Sequence, residues 1–155
     1  MAIAGIRNGL AGLCDARRVA EGMIGIPFRD GGRDARKTGG LDCWGVVLEY
    51  YRRRFGVELP DPASLDPDTC EAAPVFRWFD KIPPGAAQEG DVLRFSSACG
   101  EGKGRHIGVK IGRDQVLHVS KQSVAIHSTR LFKFDAAFVL VGEPTSDEPP
   151  GGCEC

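Results

Sequence analysis

Cys43, His106 and His118 combine the residue types that nucleophilic catalysis needs with settings that suit it. Cys43 sits in the run Gly39-Gly40-Leu41-Asp42-Cys43-Trp44-Gly45, directly ahead of a helical stretch. A helix N-terminus presents unpaired N–H groups and the positive end of the macrodipole, so negative charge is favoured there. The thiolate is the nucleophilic form of cysteine, and helix N-termini are among the places where thiol acidity rises. An activated thiol is therefore expected at Cys43. Such a nucleophile also needs a base within hydrogen-bond reach and a third group that orients the base. His106 and His118 are the candidates, because each stands on an apolar run that reads as a strand.

The elements that must position these groups follow from periodicity. From Cys43 to Phe55, the residues Trp44, Val47, Leu48, Tyr51 and Phe55 form one helical stripe, widened by Val46 and Tyr50. Asp42 suits the N-cap and Gly56 the C′ position. Asp15 to Gly25 reads as an earlier helix, Arg29 to Gly40 as a polar loop, and the region around Cys70 to Phe79 as a short helix. From Gly90 the period changes to two. Strands are expected over Asp91 to Phe95, Ile107 to Ile111, Gln115 to Val119, Ser123 to Ser128 and Ala137 to Val141. Helices first and antiparallel strands afterwards indicate an α+β domain with the central helix lying on the sheet. Residues 1–142 are assigned to that domain and 143–155 to a flexible tail.

Register decides whether the two histidines meet, because a slip of one residue turns a strand's side chains to the other face. A two-residue turn at Arg113-Asp114, continued without a break, sends His106 and His118 to opposite faces. An odd-length turn or a β-bulge beside Gly112 brings them to the same face, with His118 opposite Gly108.

Composition narrows the function. The 155 residues suit one domain, and 20 Lys and Arg against 21 Asp and Glu give a net charge of −1. That balance argues against bulk attraction to nucleic acid or an anionic membrane. The cluster Arg52-Arg53-Arg54 closes a helix, where cations complement the dipole. No stretch approaches the ~20 apolar residues of a membrane span, and Met1 to Leu13 lacks a signal-peptide pattern. The six cysteines are therefore not read as a disulfide framework, and most are read as reduced thiols, with Cys14, Cys70 and Cys99 as small hydrophobes. His127 reads as exposed. Zinc-type spacings are missing from the body of the chain, so no metal site is expected there. Cys153-Glu154-Cys155 could chelate a metal with ligands from another chain, although a plain flexible tail is the stronger reading.

The segments Gly25-Ile26-Pro27-Phe28-Arg29-Asp30-Gly31-Gly32, Leu41-Asp42-Cys43-Trp44-Gly45, Gly90-Asp91-Val92-Leu93, His106-Ile107-Gly108-Val109-Lys110-Ile111-Gly112 and Val116-Leu117-His118-Val119 resemble, in order and spacing, the motifs of NlpC-type cell-wall peptidases. The resemblance runs from about Val19 to Val119. It implies a papain-like fold and a Cys-His-His triad: Cys43 as nucleophile, His106 as base, His118 as orienting residue. It also implies amide-bond cleavage in peptidoglycan stem peptides without a cofactor. Family members usually carry Tyr where Phe28 stands and many carry Ser where Trp44 stands. Phe28 lacks the hydroxyl, and an indole at Trp44 is expected to reshape the substrate cleft. Asp42 matches the family Asp and is expected to hold a substrate amine or to cap the helix.

The lean build and the Trp after the cysteine look most like peptidases of phage-type tails. This implies synthesis in the cytoplasm without a signal peptide, carriage on a phage or phage-like particle, and contact with other tail-tip or baseplate proteins. Two competing classes remain at this stage. One is a structural tail-tip protein that keeps the fold without turnover, and the other a module that binds wall peptides without cutting.

Overall fold

In the computed structural model of the chain, the described residues are 15–62, 65–97 and 104–142. The calls on Met1 to Leu13, Cys14, Cys99 and the tail from Glu143, with Cys153 and Cys155, lie outside them.

Local capping chemistry places the helices. Asp15 accepts from the Arg18 N–H at 3.3 Å and starts α1 (Ala16–Met23), which buries Val19, Ala20 and Met23. Asp34 caps a single turn, α2 (Ala35–Thr38), inside the stretch that the sequence presents as loop. Asp42 accepts from the Gly45 N–H at 2.8 Å and starts α3 (Cys43–Phe55), which ends at the left-handed Gly56. The bounds and both caps of α3 are those expected from its pattern.

Burial on α3 exceeds a single stripe: every residue from Trp44 to Tyr51 is buried. Glu49 tolerates this because Arg52 and Arg53 reach its two oxygens at 2.7 and 2.5 Å. The start of α3 is also clamped from outside. A Cβ on Gly45 would stand 2.2 Å from the Gly32 carbonyl oxygen, so glycine there lets the 29–32 segment lie directly against the first helical turn.

Two 3₁₀ turns follow, Pro67–Ala72 and Pro74–Trp78, where the sequence reads as one short helix. Prolines at the start of each turn and an extended Ala73 between them stop a continuous α-helix. The strands are β1 (Phe79–Ile82), β2 (Val92–Ser97), β3 (His106–Gly112), β4 (Gln115–Val119), β5 (Val124–Ser128) and β6 (Phe132–Leu140). They form one antiparallel sheet in the order β1-β6-β2-β3-β4-β5. β1 has no alternating pattern to betray it, and β6 begins at Phe132, five residues before the strand start expected at Ala137.

The fold is therefore α+β and papain-like, with α3 packed on an antiparallel sheet. The larger core lies between α1, α3 and one sheet face, and takes Ile107, Val109, Leu117 and Val119 from the central strands. Phe95, Val116, Leu93 and Ala137 cluster on the opposite face. Cys70 is buried, as its reading as a small hydrophobe requires. Beside it, the buried Arg94 bonds Glu71 at 2.7 Å and Asp135 at 3.1 Å, tying the first 3₁₀ turn to β2 and β6. Glu71, paired with Lys81 and Arg94, is pulled down to about 2. No helix among the described residues is long and apolar enough to cross a membrane.

Candidate active site

The hairpin of β3 and β4 meets the register condition through a bulge. Gly112 opposes Gln115 across Arg113-Asp114, and an irregularity between Lys110 and Gly112 then shifts the ladder by one. Beyond it Val109 opposes Leu117 and Lys110 opposes Val116. Continuing that register sets Gly108 against His118 and turns His106 and His118 to one face. A Cβ on Gly108 would lie 2.7 Å from the Leu117 carbonyl oxygen and 3.1 Å from the His118 Cβ, so glycine makes room for the imidazole.

Cys43 opens α3 and is partly buried. Its sulfur lies by the N–H of Ile107, the residue after His106, which brings the helix mouth to the start of β3. Cys43, His106 and His118 all open on one cleft of about 490 Å³, together with Asp42 and Phe28. Phe95 packs between the two imidazoles, its ring 6.1 Å from that of His106 and 5.6 Å from that of His118. Leu65 and Pro67 form another wall, and the Pro67 carbonyl receives Arg94 Nη1 at 3.4 Å.

The electrostatics differ from the expectation of an activated thiol. Burial, followed by the adjacent Asp42 carboxylate, pushes the Cys43 thiol up to about 11. The N–H groups of Ile107 and Trp44 and the Arg33 guanidinium oppose this without prevailing. Helix position alone therefore does not ionise the sulfur. His118 is pushed down to about 4, first by burial and then by the charges of His127 and His106.

Of the residues expected to contact substrate, Phe28 and Asp42 line the cleft and Trp44 does not. Phe28 is exposed at its rim. The Asp42 carboxylate is already engaged: both oxygens accept from Arg33 Nε at 3.0 Å and one also caps Gly45. Arg33 is fixed further by Asp61 at 2.5 Å and the Pro62 carbonyl at 2.6 Å. Trp44 is a correction. The second position of α3 points inward, and its indole is wholly buried against Phe76 and Phe79, 5.5 and 6.5 Å between ring centroids. It shapes the core beneath the helix rather than the cleft, and its Nε1 has no hydrogen-bond partner among the described residues.

The profile of the NlpC/P60 family matches residues 25–142. The chain belongs to the NlpC/P60 family. It is similar to the murein DD-endopeptidase MepS/murein LD-carboxypeptidase of Escherichia coli K12, with 30% identity over 105 residues, 68% of this chain and 48% of that protein. It is similar to the probable endopeptidase NlpC of the same strain, with 29% identity over 120 residues, 77% of this chain and 68% of that protein. Tail tip assembly protein K of Escherichia phage N15 shares 32% over 92 residues, 52% of this chain and 35% of that protein. The chain thus spans about half the length of the MepS relative. The NlpC/p60 domain of the peptidoglycan hydrolase SagA superposes with a TM-score of 0.58 at 26% identity, covering 81% of this chain and 96% of that one.

Two residues of this NlpC/P60 site escape sequence reasoning. His127, read as exposed, is half-buried, with its Nδ1 2.7 Å from His118 Nε2. Its place in the β4–β5 ladder was the available signal, since Val116 opposes His127 and His118 opposes Ala125. Arg33 carries no motif, and its role appears only when the 29–33 segment folds against the start of α3. Among the described residues, no group of three or more His, Cys, Asp or Glu side chains is arranged to hold a metal ion.

Proposed function

We propose that this NlpC/P60 chain is a cysteine peptidase that hydrolyses amide bonds in peptidoglycan stem peptides, with Cys43, His106 and His118 as its working residues. The observation that carries the reading is the shared cleft: a cysteine at a helix mouth and two imidazoles from neighbouring strands open on one cavity. Relatives named as murein and peptidoglycan hydrolases support the substrate class.

The Cys43 sulfur attacks the carbonyl carbon of the scissile amide, and its proton passes to His106 as the carbon–sulfur bond forms. Burial holds the thiol above its ordinary value, so the sulfur depends on His106 to take its proton. Backbone N–H groups at the start of α3, that of Cys43 among them, meet the oxyanion. His106 gives the proton to the leaving amine as the carbon–nitrogen bond breaks. Water, deprotonated by His106, then hydrolyses the thioester and restores the thiol. His118 keeps His106 in its productive orientation. Phe28 and Asp42 border the substrate, with Asp42 acting through its fixed pairing to Arg33.

Digestion of purified peptidoglycan, read by muropeptide mass, tests the proposal. The wild type releases new peptide fragments, and Cys43→Ala releases none while keeping its fold by circular dichroism. Equal release by both proteins would end the reading.

The likeness to tail tip assembly protein K supports a setting on a phage or phage-like tail, where the enzyme opens the wall locally during delivery and touches neighbouring tail-tip proteins. A second reading is a tail component that keeps the fold without turnover. The raised Cys43 thiol favours it, and a wild type that releases no fragments selects it.

A further inference from the structure

All three histidines of the chain stand on one face of three neighbouring strands: His106 on β3, His118 on β4 and His127 on β5. His127 is the diagonal neighbour of His118, and its Nδ1 lies 2.7 Å from His118 Nε2. The two ring centroids are 4.9 Å apart and the planes are inclined by 48°. Phe132 packs on both rings, at 5.2 Å from His118 and 6.4 Å from His127. Two facing imidazole nitrogens at this distance share one proton, so one ring must donate and the other accept. His127 thereby holds the plane of the His118 ring and engages its Nε2. His106 and His118 line the cleft, whereas His127 does not.

We infer that His127 is a positioning residue, which holds the His118 imidazole and through it the base His106 without touching substrate. The inference rests on the peptidase reading. It separates this chain's site from a three-residue one: His118 has its Nε2 committed to a partner on β5, so the orienting unit is the His118–His127 pair.

The test compares His127→Phe and His127→Asn with the wild type in peptidoglycan digestion, with side-chain ¹⁵N NMR of the histidines. Phe keeps an aromatic ring beside Phe132 and removes the hydrogen bond, while Asn offers a polar atom near the place of Nδ1. A misplaced orienting group costs up to about 100-fold, so His127→Phe is expected to lower kcat by about 10- to 100-fold with KM unchanged. Asn restores most of the loss. The wild type shows a hydrogen-bonded His118 Nε2 signal that His127→Phe abolishes. An active wild type whose kcat survives a folded His127→Phe overturns the inference, as does an Asn variant no better than Phe. A wild type that releases no fragments overturns the peptidase reading and the positioning role together, and the NMR signal then assigns the pair to the fold alone.

Discussion

Asp42→Asn separates the three things that this carboxylate does. It caps α3 through Gly45, it pairs with Arg33, and it raises the neighbouring thiol. Asn keeps an oxygen for the cap and removes the charge. The Asp42 charge is the second cause of the rise at Cys43, and a charge close by shifts a pKa by about 1 to 3 units. Water in the open cleft reduces this to about 1 unit. The Cys43 thiol should therefore fall from about 11 toward 10 and stay above that of a free cysteine, because burial is the larger cause. Stability moves the other way. The two 3.0 Å contacts to Arg33 lose their ionic character, at a cost of about 1.5–3 kcal/mol for hydrogen bonds to charged groups. Asp42→Ala should cost about 1 kcal/mol more, because the cap is lost as well. The assay is the rate of iodoacetamide alkylation against pH, with urea midpoints for all three proteins. Wild-type alkylation should be slow at neutral pH. A wild-type midpoint below that of a free thiol, or an Asp42→Asn midpoint that rises, would refute the electrostatic account.

His118 should make stability pH-dependent. Its folded value, about 4, lies below the ordinary 6.5, so the unfolded chain takes up a proton first as pH falls. The contribution is whole above 6.5 and is lost as pH drops through 4, a change of roughly 3 kcal/mol for a group this buried. Urea midpoints from pH 7 to pH 4 should fall more steeply for the wild type than for His118→Gln. Trp44→Phe should leave KM unchanged, because the indole faces the core and not the cleft. Its stability should change by no more than about 1 kcal/mol, since removing an unpartnered N–H offsets the small cavity left behind.

Legibility in the sequence followed the range of the forces involved. The bounds of α3 were readable because a cap at Asp42, an apolar stripe and a stop at Gly56 are all local. The β4 strand, Gln115–Val119, was readable because alternation marks it. Its register was not: the same residues allow a plain two-residue turn or a bulge, and packing of Ile107, Val109 and Leu117 into the core selects the bulge. Trp44 was misplaced for a related reason. Adjacency to Cys43 suggested the cleft, yet neighbours on a helix diverge by about 100°, so one side chain reaches the mouth and the next enters the core. His127 and Arg33 acquire partners only across strands or loops, where no short spacing announces them.

The thiol shows why a motif does not by itself set reactivity. The dipole of α3 favours a thiolate, but its nearest donor groups are partly spent on Asp42, whose own charge opposes the sulfur's. Arg33 offsets that carboxylate only in part, and desolvation is the largest cause of the raised thiol. What remains to promote ionisation is a cation that arrives with the reaction, and His106 is the cleft group able to become one by taking the sulfur's own proton. In the proposed mechanism, activation therefore rests on the placement of an imidazole more than on the helix end. On that proposal, Gly108 through close approach and His127 through its ring contact bear on rate, because they set where the imidazoles stand.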